Sequence, residues 1–172
     1  SSTSNSITPN YSLTPNYCTP TSGSTNNGIT NVTFNTINNT TTGSGAGGFN
    51  YTSFSTTLTQ GSTYSLSVSV NTGGNWTNYQ KVWIDWNQDG VFNTTAGNAN
   101  GLGEEYSLGT AINQTNGISS LCPLSVTVPS GVRIGSTRMR VSSNYNGYTT
   151  SCATTIDGEF EDYTIIFTNN IW

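Results

Sequence analysis

Polar and apolar residues alternate along this chain with the period of two that is typical of β-strands. Between positions 63 and 70, for example, Tyr64, Leu66 and Val68 share one face and serines occupy the other. Similar alternation, with Gly- and Asn-rich turns between the segments, predicts strands over Ile29–Ile37, Phe49–Leu58, Thr63–Val70, Lys81–Asn87, Leu121–Val128, Thr137–Ser143 and Phe160–Phe167. No segment has the 3.6-residue period of an amphipathic helix. We therefore predict an all-β protein, an antiparallel β-sandwich of jelly-roll or immunoglobulin-like type.

The first 27 residues have a different pattern, which predicts an extended arm ahead of a domain at 28–172. They are polar and rich in proline, and they repeat one motif, Thr8-Pro9-Asn10-Tyr11-Ser12 and then Thr14-Pro15-Asn16-Tyr17-Cys18. Proline favours extended backbone over helix. The arm is either a linker or edge strand of its own domain, or a segment that pairs with a neighbouring subunit by strand addition.

Charged residues are rare and unevenly placed. They make up 7% of the 172 residues, against about 25% in an ordinary globular protein. None precedes Lys81, and all eight acidic residues lie between Asp85 and Asp162. A net charge of −4 with four basic residues leaves no footprint for nucleic acid, and an acidic membrane surface would be a poor partner. No apolar run is long enough to span a bilayer.

Three cysteines, a single lysine and several Asn-x-Ser/Thr triplets favour an exported, glycosylated protein. The triplets include Asn31-Val32-Thr33, Asn50-Tyr51-Thr52 and Asn75-Trp76-Thr77. In so Asn- and Thr-rich a chain, some such triplets arise by chance.

Directly after a buried strand, the residues Asp85, Asn87 and Asp89 recur at every second position before Gly90. Side-chain oxygens at this spacing, a glycine at the bend and the Val91 carbonyl are typical of a calcium loop. The loop departs from an EF-hand because Ala96 occupies its twelfth position and no amphipathic helices flank it. A further carboxylate must then come from elsewhere. The available ones are Glu104, Glu105, Asp157, Glu159, Glu161 and Asp162, and of these we expect Glu105 and Asp162 to supply it. The alternative is an Asx-rich turn that needs no metal.

Two pairs of opposite charges share the period of a strand. Arg138 and Arg140 are separated by one residue, as are Glu159 and Glu161. Neighbouring strands could match them as a ladder of arginine–carboxylate pairs, with Asp162 turned to the other face and available to the cation.

The order of these motifs resembles one family. Trp83-Ile84-Asp85-x-Asn87-x-Asp89-Gly90-x-Phe92, then Thr137-Arg138-Met139-Arg140-Val141, then Gly158-Glu159-Phe160-Glu161-Asp162-Tyr163 are similar to the GEVED domain, with Phe160 in place of valine. The resemblance spans roughly 17–167. It implies a β-sandwich module of secreted or surface proteins of bacteria, especially Bacteroidetes, that often accompanies adhesins, proteases and glycan-active enzymes. It also implies a Cys18–Cys152 disulfide, which leaves Cys122 over.

Aromatic residues beside amides could bind sugars. Trp76, Tyr79, Tyr145 and Tyr148 lie in Asn-rich segments and would serve as stacking platforms. Aromatic residues in such loops also pack as structural caps, and the sequence leaves both interpretations open.

Catalysis is not expected, because the chain has no histidine and no nucleophile paired with a base. We expect an extracellular structural or adhesive protein, calcium-stabilised, that self-associates as a subunit of a bacterial surface fibre through its N-terminal arm. The alternative is a calcium-dependent carbohydrate-binding module of a secreted protein.

Overall fold

The computed structural model describes residues 15–23, 26–44, 48–93, 103–154 and 156–170. Within these ranges the chain forms ten β-strands and no helix. The strands are β1 Gly28–Phe34, β2 Ile37–Thr40, β3 Gly48–Thr59, β4 Thr63–Asn71, β5 Thr77–Ile84, β6 Glu105–Ile112, β7 Gly117–Ile118, β8 Leu124–Thr127, β9 Gly135–Tyr145 and β10 Gly158–Thr168.

The strands form two sheets that pack as a β-sandwich, which confirms the predicted fold class. The first sheet has the order β2-β1-β4-β7, with β8 also paired to β4, and the second has the order β3-β10-β9-β5-β6. Neighbouring strands are antiparallel except β3 and β10, which run parallel. The second sheet is therefore mixed.

The alternation read from the sequence fills the space between the sheets. Leu66, Val68 and Val70 of β4 are fully buried, and β5, β9 and β10 contribute apolar side chains from the other side. Trp86 stacks on Phe167 with ring centroids 5.4 Å apart. The interior around these side chains is apolar because each of these strands turns every second side chain inward.

Two predicted strands are shorter than expected. The segment Ile29–Ile37 is broken at Asn35, whose φ of 53° makes a turn between β1 and β2. In the segment Leu121–Val128 only Leu124–Thr127 pairs as a strand. Asn adopts positive φ more readily than β-branched residues do, which is why the turn forms at Asn35. The alternation of polar and apolar residues continues through this position and therefore does not reveal the turn.

A second, smaller cluster lies on the outer face of the second sheet. It consists of Trp83, Phe92, Ile156 and Phe160, with Tyr17 packed against it. The chain before β1 covers this face and is fastened there, because the Thr21 N–H donates to Ala153 O at 3.1 Å and Ser22 bridges Ile156. The described end of the predicted arm thus lies on its own domain, whereas residues 1–14 fall outside the described ranges.

Candidate functional site

The loop after β5 is closed around the carboxylate of Asp85. This carboxylate is fully buried and accepts the Gln88 N–H at 2.7 Å on Oδ1 and the Gly90 N–H at 3.0 Å on Oδ2. The Tyr17 hydroxyl also donates to Oδ2, at 2.6 Å. Burial raises the pKa of the Asp85 carboxyl, and these hydrogen bonds oppose the rise.

Asn87 and Asp89 complete the turn with their own hydrogen bonds. The Asn87 amide donates to Asp89 Oδ2 at 2.9 Å, and the Val91 N–H donates to Asp89 Oδ1 at 2.8 Å. The arrangement is that of an Asx-rich turn, in which side-chain oxygens accept nearby backbone N–H groups.

The buried carboxylate of Glu104 anchors the other side of this loop, and sequence reasoning did not select it. Its Oε1 accepts the Trp86 N–H at 3.0 Å, and its Oε2 accepts the Asn93 N–H at 2.8 Å. Glu104 is fully buried, and burial raises its pKa. The signal that could have found it is its place directly before β6, beside the partner strand that leads into the loop.

Glu105 and Asp162 do not join the loop as predicted. Glu105 pairs with Lys81 at 2.7 Å and accepts the Trp83 indole N–H at 2.8 Å. Asp162 pairs with two arginines. Throughout the described ranges, no three His, Cys, Asp or Glu side chains form a group that could hold a metal ion. The six predicted ligands, which include Val91, are therefore not gathered at one point, and calcium stays a prediction.

The predicted ladder between arginines and glutamates is wrong. Arg140 donates from Nε to Asp162 Oδ1 at 2.7 Å and from Nη2 to Oδ2 at 2.8 Å, and Arg138 lies 3.2 Å from the same carboxylate. In the register of β9 and β10, Asp162 is opposite Arg140. Because side chains alternate between faces, Glu159 and Glu161 must then point away from both arginines.

Glu159 and Glu161 point into the sandwich. Glu159 accepts the Ile29 N–H at 2.7 Å, and Glu161 accepts the Tyr163 hydroxyl at 2.6 Å. Both carboxyl groups are at most 1% exposed. Burial raises the pKa of Glu159 to about 7 and that of Glu161 to about 8, where the neighbouring Glu159 charge adds to the rise.

The disulfide between Cys18 and Cys152 is confirmed. Their Cα atoms are 5.7 Å apart, and the bridge joins residues separated by 134 positions. It ties the segment before β1 to the loop before β10. Cys122 is free and half-buried, and burial raises its pKa.

The four aromatic residues proposed for sugar binding form two separate pairs. Trp76 and Tyr145 meet edge to face at 5.4 Å, and Tyr79 and Tyr148 at 5.1 Å. Tyr145 is opposite Asn78 in the register, so it leaves the sheet on the face opposite to Tyr79. The second pair is also bound structurally, because the Tyr148 hydroxyl accepts a hydrogen bond from Ser107 at 2.9 Å.

A cavity of about 250 Å³ opens beside the first aromatic pair. Trp76 is 54% exposed at its rim, and the indole lies against the turn at Gly74, where a Cβ would come within 3.2 Å of the indole nitrogen. The remaining lining is polar and consists of Asn26, Asn27, Thr72, Gly73 and Asp157, next to Tyr145. An exposed aromatic face with amide and carboxylate groups around it can stack on a sugar ring and bind its hydroxyl groups.

Comparison with known proteins identifies one family. The family model of the GEVED domain matches residues 79–166, just over half of the chain, from within β5 to two residues before the end of β10. No match is found among curated proteins. The described ranges contain no helix long and apolar enough to cross a membrane.

Proposed function

The chain belongs to the GEVED domain family, and on that premise we propose that it is a non-catalytic extracellular protein with a structural and adhesive role. The Cys18–Cys152 disulfide supports an oxidising, extracellular location, since such bridges are rare in the cytosol. The acidic side chains support a structural role, because those of Asp85, Glu104 and Asp162 bind backbone or arginine donors.

The adhesive contact that the geometry supports best is carbohydrate binding at the cavity beside Trp76. The exposure of this indole is the observation that carries the proposal. An aromatic residue that served only as a packing cap would be largely buried, yet Trp76 is 54% exposed and meets a single ring, that of Tyr145, at an angle of 70°. Sugar rings bind to such platforms through their apolar face.

The polar groups of the cavity suit hydroxyl-rich ligands better than charged ones. Asp157 accepts a hydrogen bond from the Asn27 amide at 2.8 Å, and Asn27 in turn accepts one from Asn78 at 3.2 Å. The lining side chains are therefore held in place by the sandwich beneath them. We propose a neutral oligosaccharide as the ligand class, because the cavity contributes no cationic side chain among its described lining residues.

Binding to a glycan array, with three forms of the protein, tests this proposal. We expect the wild type and Tyr148→Ala to bind the same glycans, and Trp76→Ala to lose at least tenfold in affinity. Tyr148 is the matched control because it is an exposed aromatic residue of the other pair. A blank array for the wild type, or unchanged binding by Trp76→Ala, contradicts carbohydrate binding at this cavity.

Assembly into a surface fibre is the second candidate, and the edge strand β3 favours it. This strand of 12 residues carries no charged residue, pairs with β10 on one side and exposes Phe54. Proteins commonly protect long edge strands with charges, since unpaired backbone groups recruit further strands. We propose that residues 1–14 of a second copy add to this edge, because they too are free of charge.

Light scattering on a truncated protein tests the fibre. Deletion of residues 1–14 retains Pro15 and the disulfide segment, so the contacts among the described residues are kept. We expect the wild type to form oligomers, and both the truncated protein and Phe54→Lys to be monomers. A monomeric wild type, or oligomers that survive both changes, contradicts strand addition at β3.

The proposal includes calcium as a structural cofactor, because oxygen-rich sites suit this hard cation. At the loop of Asp85 to Val91, the buried Asp85 carboxylate is already used by backbone and tyrosine donors. Melting temperatures with and without a chelator test the cofactor. An unchanged melting temperature removes calcium from the proposal.

A further inference from the structure

Two cavities on the outer face of the second sheet share the side chain of Arg138. Their volumes are about 250 Å³ and about 310 Å³, close to the lower limit of roughly 300 Å³ for small-molecule sites. They lie between the segment before β1 and the strands β3, β9 and β10. We call the two cavities together the Arg138 groove. Trp76 and Tyr145 line neither of them, so the groove is separate from the cavity proposed for neutral sugars.

The charges at the Arg138 groove do not balance. Arg140 binds the Asp162 carboxylate through two nitrogens at 2.7 and 2.8 Å, and Arg138 approaches the same carboxylate at 3.2 Å. Two guanidinium groups and one carboxylate leave one positive charge in excess. Asp85 does not line the groove: it is fully buried at the hydroxyl end of Tyr17, where it accepts this hydroxyl and two backbone N–H groups.

The guanidinium of Arg138 is held in position but is not used up. Its central carbon lies 4.4 Å from the centroid of the Tyr17 ring, and this ring packs in turn against Phe92 at 5.3 Å. Among the described residues, the contacts of the guanidinium are this ring and Asp162, and the side chain is 28% exposed. A guanidinium stacked by its face keeps N–H donors along its edge, so Arg138 can still bind an anion.

The lining around this charge is rich in hydroxyl and amide groups. The side chains of β3, β9 and β10 that supply them are Asn50, Thr52, Ser136 and Thr164. The Thr164 hydroxyl donates to Thr52 O at 2.7 Å, which fixes the β3 side of the groove against β10. Hydroxyl and amide groups bind the hydroxyl groups of a sugar, whereas a planar guanidinium binds a carboxylate through two parallel hydrogen bonds.

We propose that the Arg138 groove binds an acidic oligosaccharide, with the carboxylate of a uronic-acid unit on Arg138 and the ring hydroxyls on the polar side chains beside it. The net charge of −4 opposes such a ligand only weakly at physiological salt, because exposed charges more than about 8 Å apart are largely screened. The groove is a second site for a different class of sugar, and it does not depend on the Trp76 cavity.

Isothermal titration calorimetry with trigalacturonic acid and with its full methyl ester tests the ligand class. The two ligands share the same ring hydroxyls, and only the acid carries charge. We expect the wild type to bind the acid at least tenfold more tightly than the ester, and this affinity to fall as sodium chloride rises from about 20 to about 200 mM. No binding of the acid, or equal affinities for acid and ester, overturns the proposal. Tighter binding of a sulfated trisaccharide of equal charge overturns its carboxylate class.

Three variants test the place of binding. Arg138→Gln should lose at least tenfold in affinity for the acid, and Arg133→Gln, which removes the same charge from an exposed residue outside the groove lining, should stay within twofold of the wild type. Because Arg138 also contacts Asp162, Ser136→Asp serves as the second variant: it leaves that pair intact and places a like charge beside the ligand. We expect it to lose at least tenfold as well, and unchanged affinity in either variant overturns the proposal.

The same titration separates this site from the neutral-sugar cavity. We expect Trp76→Ala to bind the acid as the wild type does, and a tenfold loss in this variant would overturn the assignment to Arg138. A wild type that binds neutral glycans but not the acid overturns the Arg138 groove alone.

Discussion

Arg140 and Asp162 form a two-pronged ion pair that is almost completely buried. Both bonds are shorter than 2.9 Å, and the Arg140 side chain is 1% exposed. The same guanidinium donates to the carbonyls of Cys18 and Ser151. One side chain thus joins β10 to both segments linked by the disulfide.

Asp162→Asn should therefore lower the stability strongly. The asparagine has the same shape but leaves the guanidinium buried without a full counter-charge, and breaking a buried pair costs about 3–5 kcal/mol. For a domain of this size the loss corresponds to a fall of about 10 °C in melting temperature. Thermal unfolding followed by circular dichroism measures it.

Glu105→Gln is the matched control for this pair. Glu105 and Lys81 are also bonded at 2.7 Å, but their side chains are 20% and 18% exposed. A partly exposed pair contributes about 1 kcal/mol or less. Equal losses for the two variants would show that burial does not decide the strength of these ion pairs.

The error about Arg140 shows what the alternation in a sequence can and cannot predict. Period-two spacing correctly placed charges on one face of each strand, and it correctly gave the sandwich. It could not give the register between β9 and β10, which decides that Asp162 rather than Glu161 is opposite Arg140. A shift of one residue turns every side chain to the other face.

The disulfide and the loop after β5 show one prediction that is confirmed and one that is wrong. The Cys18–Cys152 bridge followed from the family resemblance and is confirmed. The prediction that Glu105 rather than Glu104 joins the loop is wrong. Glu104 directly precedes β6 and Glu105 begins it, so the side chain that faces the loop depends on where β6 starts. Long-range hydrogen bonds of this kind arise from tertiary packing, which local pattern does not contain.

Removing the disulfide should destabilise the protein by a large amount. The bridge closes 134 positions, and the chain-entropy model gives about 5 kcal/mol for loops of this size. We expect the double variant Cys18→Ser, Cys152→Ser to show this loss in urea unfolding, and Cys122→Ser to change the midpoint little. If the double variant unfolds at the wild-type midpoint, the segment 15–23 is held by its other contacts alone.

Glu104→Gln should destabilise the loop after β5, whereas the neighbouring substitution Glu105→Gln should not. Both Glu104 oxygens accept backbone N–H groups, and glutamine must turn an NH₂ toward one of these donors. The unsatisfied group costs about 1–3 kcal/mol. Hydrogen exchange should show faster opening of the amides of Trp86 or Asn93, and unchanged protection at both would contradict the anchoring role.

The interior glutamates should make the protein less stable as the pH rises. Burial raises the pKa of Glu159 to about 7 and of Glu161 to about 8, whereas both titrate near 4.5 when unfolded. Among the described residues, Tyr163 and Tyr51 are the other titratable groups that face them. Between about pH 4.5 and pH 8 the folded protein binds more protons than the unfolded chain. The stability that these two carboxyl groups contribute is therefore fully present below about pH 4.5 and is lost as the pH rises through 7–8.

Each carboxyl contributes a slope of up to about 1.4 kcal/mol per pH unit in that window. Urea unfolding in chelator at pH 5 and pH 8 measures the fall for the wild type and for Glu161→Gln. The variant should fall less, because it has one titrating carboxyl fewer and Glu159 no longer has a charged neighbour. All other carboxyl groups are common to both proteins and cancel in the comparison. Equal falls would mean that Glu161 is ionised in the folded protein throughout this range, in contradiction to its burial.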